Sequence, residues 1–282
     1  VMIDVAENYL YELFVELSSQ ETSAKTHFVF CSITNKDKLN SIFYEYKPQI
    51  VFHAGAHKHV PLMETNPEEA VINNIFGTKV VADLSREYGI DRFVLVSTDK
   101  VVRPSSIMGM TKNIAEKYIQ MMSLNSKTKF LTVRFGNVLG SNGSIIPIFR
   151  NQIKRGGPIT ITHPKMERYF MLISEAVQLI LQAAAMGQGG EKYLLNMGKP
   201  VKIIDLAHKM IKLAGYIPEE DIKIKFIGVR PGEKLQEDLL DENEQIVPTF
   251  HEKILVLHSK NQLSTDFESM VDHLISLSSQ GK

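Results

Sequence analysis

The stretch Phe93-Val94-Leu95-Val96-Ser97-Thr98-Asp99-Lys100, followed by Met108-Gly109-Met110-Thr111-Lys112, decides how the chain reads. Its apolar half, Phe93 to Val96, has the composition of a strand buried on both faces, as in a parallel sheet. In open α/β sheets, ligands bind beyond the carboxyl ends of the strands. A hydroxyl, a carboxylate and an amine, from Thr98, Asp99 and Lys100, therefore emerge where a substrate would lie. The second group opens a helix predicted from Ser106 to about Leu124. Met108 and Lys112, four residues apart, share one of its faces.

On either side, strand and helix patterns alternate, which predicts βαβ units and a parallel sheet. Strands are expected at Val1–Asp4, His27–Cys31, Gln49–Ala54 and Phe130–Phe135, and helices at Glu7–Ser19, Lys36–Tyr46 and Pro67–Tyr88, the last stopped by Gly89. After Gly136 the alternation lapses, with Gly140, Gly143, Gly156 and Gly157 in close succession. Helices return at Ser174–Met186, Ile203–Ala214 and Thr265–Leu277. The expected fold is α/β, a doubly wound parallel sheet with a smaller C-terminal substrate lobe. Residues 1–139 would form the dinucleotide-binding domain and 140–282 mainly the lobe, with part of 174–200 returning to the sheet. A dinucleotide-binding unit starts with a strand and a Gly-rich turn. No such glycine pattern precedes Asp4, so the first strand and its loop are missing from this stretch. Asp4 ends the second strand of such a unit, where a carboxylate binds the adenosine ribose; an exposed turn carboxylate is an equal reading.

Composition narrows the function classes. The 282 residues include 32 Lys+Arg and 32 Asp+Glu, with no basic block, which argues against a nucleic-acid or membrane-surface role. The single cysteine, Cys31, ends an apolar run and reads as a buried hydrophobe; it forms no internal disulfide and fits a reducing compartment. No apolar run is long enough for a transmembrane helix, and no signal peptide is present. The chain opens on Val1 inside a strand, so the expectation is a fragment of a longer protein.

The stretch His53-Ala-Gly-Ala-His-Lys-His-Val-Pro-Leu-Met-Glu64 resembles the signature of UDP-N-acetylglucosamine 4,6-dehydratases of the CapD-like polysaccharide biosynthesis family, which are extended short-chain dehydrogenases. Asn73-Asn-Ile-Phe-Gly-Thr78, Ser97-Thr-Asp-Lys100, Arg134-Phe-Gly-Asn-Val138, Gly143-Ser-Ile-Ile-Pro147, Arg168-Tyr-Phe-Met171 and Arg230-Pro-Gly-Glu-Lys-Leu235 agree with it, in the family's order, up to about Leu240. Short-chain dehydrogenases carry Tyr and Lys on the helix face occupied here by Met108 and Lys112. The chain thus resembles the methionine type within the family. In that type the parent protein is often anchored in the inner membrane by an N-terminal region, with its catalytic part on the cytoplasmic side.

The resemblance implies a Rossmann-like lyase that uses NAD as a bound catalytic cofactor. A hydride leaves C4 of the hexose, the ketone acidifies C5, water is lost across C5 and C6, and hydride returns to C6. Asp99 is assigned as the acid for the C6 hydroxyl and Lys100 as the base at C5. Desolvation pushes both toward the required neutral forms, and their mutual attraction opposes it. Thr98 is a hydrogen-bond partner for the C4 oxygen, Lys112 holds the nicotinamide ribose, and Met108 packs. The cofactor would also meet Ser32 and Ile33 in the adenine turn, the small residues Ala54, Gly55 and Ala56, and Asn74, which could equally brace the strand ends. Ser32 and Asn35 stand where the family usually has Asp.

For the UDP-sugar, the expected contacts are Lys58, His59, Asn137, Ser144, Arg168, Arg230 and Glu233. Arg168 and Arg230 would act as forks on the diphosphate and Glu233 would accept from the uridine ribose. His57 and His59 lack a further ligand nearby, so no metal is expected. Each residue also has a plain reading as a cap, a salt bridge or a surface charge. An epimerase is the alternative enzyme, disfavoured by Met108, and a non-catalytic NAD or nucleotide-sugar binding fragment is the alternative class. A homo-oligomer is expected through the Pro67–Tyr88 and Ser106–Leu124 helices.

Overall fold

The computed structural model describes residues 1–20, 24–259 and 263–281. The strands are β1 (Met2–Asp4), β2 (Phe28–Phe30), β3 (Ile50–His53), β4 (Arg92–Thr98), β5 (Lys129–Phe135), β6 (Asn137–Leu139), β7 (Ile159–Ile161), β8 (Glu167–Arg168), β9 (Phe170–Leu172), β10 (Lys192–Leu195), β11 (Val201–Lys202), β12 (Ile224–Phe226), β13 (Glu244–Pro248) and β14 (Ile254–Ser259). The helices are α1 (Glu7–Ser18), α2 (Lys36–Tyr46), α3 (Val60–Thr65), α4 (Pro67–Val71), α5 (Gly77–Glu87), α6 (Ile107–Ser123), α7 (Ile145–Lys154), α8 (Ile173–Met186), α9 (Ile203–Leu213) and α10 (Phe267–Ser279).

The central sheet runs β13-β14-β10-β5-β4-β3. Strands β3, β4, β5 and β10 are parallel, and β14 and β13 close the far edge antiparallel. Alternation along β4 explains the double winding. Phe93 and Leu95 face a core built with α2, α5 and α6, including Leu39, Phe43, Leu84 and Ile119. Val94 faces the opposite core, where Leu131, Val133, Leu179 and Ala183 pack beneath α8. With both faces covered, β4 reads as a continuous apolar run.

Between β1 and β3 the order is interrupted. β1 pairs only with β2, and β3 only with β4, so two strand edges face each other across a groove of about 540 Å³. In the strand order 3-2-1-4-5-6 this is the slot of the first strand. Its walls include Ile3, Leu13, Ile50, Phe52 and Gly55.

The lobe has its own core of Phe149, Ile153, Ile159, Ile161, Ile203, Ala207 and Ile222, contributed by α7, α9, β7 and neighbouring loops. Within residues 140–282, α8 packs on the central sheet, and β10, β13 and β14 belong to it. The reason is long-range: Arg134 on β5 bridges Glu116 of α6 at 2.8 Å and Glu244 of β13 at 2.8 Å, and Lys192 of β10 reaches Glu244 at 2.8 Å.

The long Pro67–Tyr88 helix is present, but Ile72–Phe76 form a π turn between α4 and α5. Such turns often mark functional sites, and this one carries Asn74. The helices expected to form an oligomer face are partly covered by the chain itself. The apolar residues Phe267, Val271, Leu274 and Ile275 of α10 join their core, while Lys79 of α5 reaches Glu268 at 3.4 Å, Asp272 at 3.7 Å and Tyr118 of α6 at 2.9 Å. Among the described residues, no helix is long and apolar enough to cross a membrane.

Candidate active site

In a continuing strand, Asp99 and Lys100 would point to opposite faces. A single 3₁₀ turn, Asp99–Val101, follows β4 instead and brings the two side chains together, with the Thr98 side chain accepting the Lys100 N–H at 3.4 Å. Lys100 Nζ lies 2.9 Å from Asp99 Oδ1, 3.2 Å from Asn137 Oδ1 and 3.5 Å from Glu237 Oε1. Thr98 Oγ1 donates to the same Asp99 Oδ1 at 3.0 Å. Gly109 of α6 touches this turn from behind: a Cβ there would collide with the Lys100 carbonyl oxygen. Ser106 caps α6 by accepting the Gly109 N–H at 3.0 Å.

Lys100 lines two cavities at once, one of about 280 Å³ toward the lobe and one of about 320 Å³ over the ends of β4 and β5. Thr98 lines the second. Asp99 does not line either; it is 0% exposed and stands behind Lys100 and Thr98. The direct contact with the sugar expected of Asp99 is therefore corrected: it reaches the cavity through Lys100 Nζ and Thr98 Oγ1. Its Oδ2 is buried without a hydrogen-bond partner, beside Gly136. Burial works against the ammonium of Lys100, but Asp99 and Glu237 outweigh it and hold the amine above its ordinary range. At rest the amine is charged.

The second cavity has small and apolar walls, including Ala54, Ala56, Val96, Met108 and Phe135, with Lys112 at its edge. Met108 is 3% exposed and packs with Met63 and Ala70, as a thioether should. Lys112 Nζ donates to the Val96 carbonyl at 2.8 Å, and burial brings its pKa down to about 8. Gly55 and Gly77 admit the Ile33 side chain, which lies 3.3 Å and 2.6 Å from where their Cβ atoms would be. Ser32 bonds Thr34 at 2.8 Å, and Asp4 accepts the Ala6 N–H at 2.7 Å on the rim of the strand slot. Asn74 is wholly buried, and its amide is consumed by the His57 N–H at 2.7 Å, the His57 carbonyl at 3.1 Å and Thr111 at 3.1 Å. It braces the loop after β3; the cofactor contact expected of it is corrected.

Lys58 and His59 seat the turn before α7. Lys58 Nζ donates to the Asn142 carbonyl at 2.9 Å, and the His59 ring lies 2.6 Å from where a Gly143 Cβ would be. Burial lowers the pKa of both side chains. Ser144, the N-cap of α7, keeps a buried hydroxyl without a partner, and it lines both cavities. Among the described residues there is no metal-binding cluster.

On the lobe side, Arg230 and Glu233 line the first cavity, and Glu233 Oε2 accepts the Arg230 N–H at 3.3 Å. Arg168 lines it too, but its fork is turned on the protein. It donates to the carbonyls of Glu167 at 2.6 Å, Lys234 at 2.8 Å and Leu235 at 3.1 Å. The side chain thus faces the cavity while its fork is held by the lobe backbone. Glu237 escaped the sequence reading altogether. It sits three residues past Lys234 in an unremarked polar run, and only the tertiary fold brings it to Lys100.

This arrangement defines a cleft between a parallel α/β sheet and a small lobe, lined by an amine and a hydroxyl. The profile of the polysaccharide biosynthesis protein family matches residues 1–259, and the chain belongs to that family. It is 50% identical over 285 aligned residues to the capsular polysaccharide biosynthesis protein CapD of Staphylococcus aureus, covering 100% of this chain and 47% of that protein. The chain thus spans about half the length of that relative. Over 197 residues it is 38% identical to a UDP-glucose 4-epimerase of Rickettsia bellii, covering 69% of this chain and 56% of the relative. Over 233 residues it is 30% identical to the inverting UDP-N-acetylglucosamine 4,6-dehydratase of Campylobacter jejuni, covering 81% and 66%. Among solved structures, Pen from Bacillus thuringiensis superposes with a TM-score of 0.81 at 32% identity, covering 93% of this chain and 80% of Pen.

Proposed function

We propose that the protein dehydrates UDP-N-acetylglucosamine to a 4-keto-6-deoxy sugar nucleotide, with NAD as bound cofactor. The observation that carries this reading is Lys100, which lines both cavities while paired at 2.9 Å with the buried Asp99, beside a helix face that offers Met108 where a phenol would stand.

The residues present fit one half of the cofactor. The small-walled cavity suits a nicotinamide ring, with Lys112 near its ribose; the pyrophosphate would need a Gly-rich turn that this sequence does not contain. When bound, the dinucleotide supplies the hydride acceptor and donor. The chain's own residues move the protons. Lys100 and Asp99 share a proton across 2.9 Å, and shifting it to Asp99 leaves a free amine and a neutral acid. The amine takes the C5 proton. The Asp99 proton passes through the Thr98 hydroxyl, 3.0 Å away, to the departing C6 oxygen. Lys100 then carries the new proton and Asp99 is again a carboxylate; as hydride reaches C6, Lys100 returns that proton to C5 and is recharged by the proton that the 4-hydroxyl released. Ser144, Asn137, Arg230 and Glu233 line the walls toward the UDP moiety.

The epimerase reading is supported by the Rickettsia relative; in either reaction the 4-hydroxyl proton leaves by a route other than Met108, because a thioether cannot take it. One assay separates the readings. The intact protein is incubated with UDP-N-acetylglucosamine and NAD, and the product is weighed by mass spectrometry. Loss of one water supports dehydration. Unchanged mass with inverted stereochemistry would give the reaction to an epimerase, and unchanged substrate that still binds would leave a binding module.

A further inference from the structure

Lys100 has a third neighbour that the mechanism above does not use. Glu237 belongs to the lobe segment after Gly228, yet its side chain is 4% exposed and its Oε1 lies 3.5 Å from Lys100 Nζ and 3.8 Å from Arg168 Nε. It lines the same cavity as Arg230 and Glu233. The segment that carries it is stitched to the catalytic turn and the loop behind it. Lys234 Nζ donates to the Val102 carbonyl at 2.8 Å, Ser105 Oγ donates to the Gly232 carbonyl at 3.1 Å, and Arg103 pairs with Asp238 at 2.6 Å. Arg168 binds two carbonyls of the segment from the other side.

We propose that Glu237 is a positioning residue that holds the Lys100 amine in place and makes its proton affinity depend on the seating of the lobe segment that carries Arg230 and Glu233. A buried charge needs a partner. With Arg168 and Glu237 as one pair and Lys100 and Asp99 as the other, the cluster is neutral before and after the proton moves from Lys100 to Asp99. Glu237 thus balances the Arg168 guanidinium and steadies the ammonium of Lys100, while the proton transfer itself leaves the net charge unchanged. Arg168 opposes the ammonium and Asp99 and Glu237 favour it, and burial disfavours it. The other charged groups lining the two cavities are Lys58, Lys112, Arg230, Glu233 and Lys234, with His57 and His59 titratable among them. Among the described residues, only Glu237 ties Lys100 to the lobe by direct contact between side chains of opposite charge.

The mechanistic use of this contact rests on the proposed dehydration; the contact itself can be read without turnover. Competitive labelling of the intact protein with acetic anhydride across a pH series, followed by mass spectrometry, gives the midpoint at which Lys100 becomes reactive. Removing an opposite charge at this range should lower the midpoint by about 1–2 pH units in Glu237→Gln. Glu237→Asp keeps the charge and should restore at least half of that shift. In the dehydration assay, Glu237→Gln should move the pH profile of kcat in the same direction with little change in KM. An unchanged Lys100 midpoint in a folded Glu237→Gln variant overturns the proposal, as does failure of Glu237→Asp to restore it; should Glu237→Gln not fold, the Glu237→Asp midpoint, expected below the wild type, decides. Loss of the dehydratase reading shows separately, as absence of water loss in the wild-type protein while the labelling shift persists.

Discussion

Asp99→Asn separates the two halves of the proposed elimination. The side chain is 0% exposed, and asparagine has the same shape. Its amide oxygen can still accept from Thr98 at 3.0 Å and Lys100 at 2.9 Å, so the turn should hold. What is lost is the negative charge and the site for a proton. Lys100 then keeps only Glu237, at 3.5 Å, as an anionic neighbour, and its amine becomes free at lower pH. Proton abstraction at C5 should survive, while protonation of the C6 oxygen fails. General acid catalysis is worth roughly 10²–10⁴ in rate, or about 3–5 kcal/mol of barrier. Water loss should fall by that factor with KM nearly unchanged. The assay runs in D₂O with mass spectrometry and proton NMR of the nucleotide sugar. Deuterium should enter C5 without water loss in Asp99→Asn, whereas Lys100→Met should abolish both. Full dehydration by Asp99→Asn, or loss of C5 exchange as complete as the loss of water, would refute the division of labour.

Three further outcomes test the scaffold. Arg134 is 2% exposed and holds Glu116 and Glu244, so Arg134→Leu leaves two buried carboxylates to share Lys192 alone; the cost is about 3–5 kcal/mol, seen as a melting temperature lower by roughly 10 °C in calorimetry. Burial raises the Glu244 carboxyl, but Arg134 and Lys192 outweigh it and hold its pKa at about 2, below the ordinary 4.5. Between those values the unfolded chain binds the extra proton, so this stability is complete above pH 4.5 and drains as the pH falls toward 2. Urea midpoints taken from pH 6 to pH 3 should therefore decline less in Glu244→Gln than in the wild type, and equal slopes would contradict the assignment. Gly109→Ala would drive a methyl into the Lys100 carbonyl. It should cost about 1–3 kcal/mol of stability and displace the turn that carries Lys100, so dehydration should fall further than substrate binding.

The sequence by itself determined the class of fold and the floor of the site. An apolar run ending in Ser97-Thr98-Asp99-Lys100 can only be a buried strand delivering polar groups to a sheet's rim, and the four-residue spacing of Met108 and Lys112 required one helix face. These are local properties, carried by periodicity. The tertiary structure decided what each group can touch. One 3₁₀ turn set Lys100 into both cavities and left Asp99 behind it. Distant carbonyls claimed the Arg168 fork, and His57 and Thr111 claimed Asn74. Glu237 came to Lys100 from the lobe, and β13 and β14 returned to the sheet, where Glu244 meets Arg134. Partners remote along the chain leave no periodic trace, because burial and ion pairing depend on which surfaces meet.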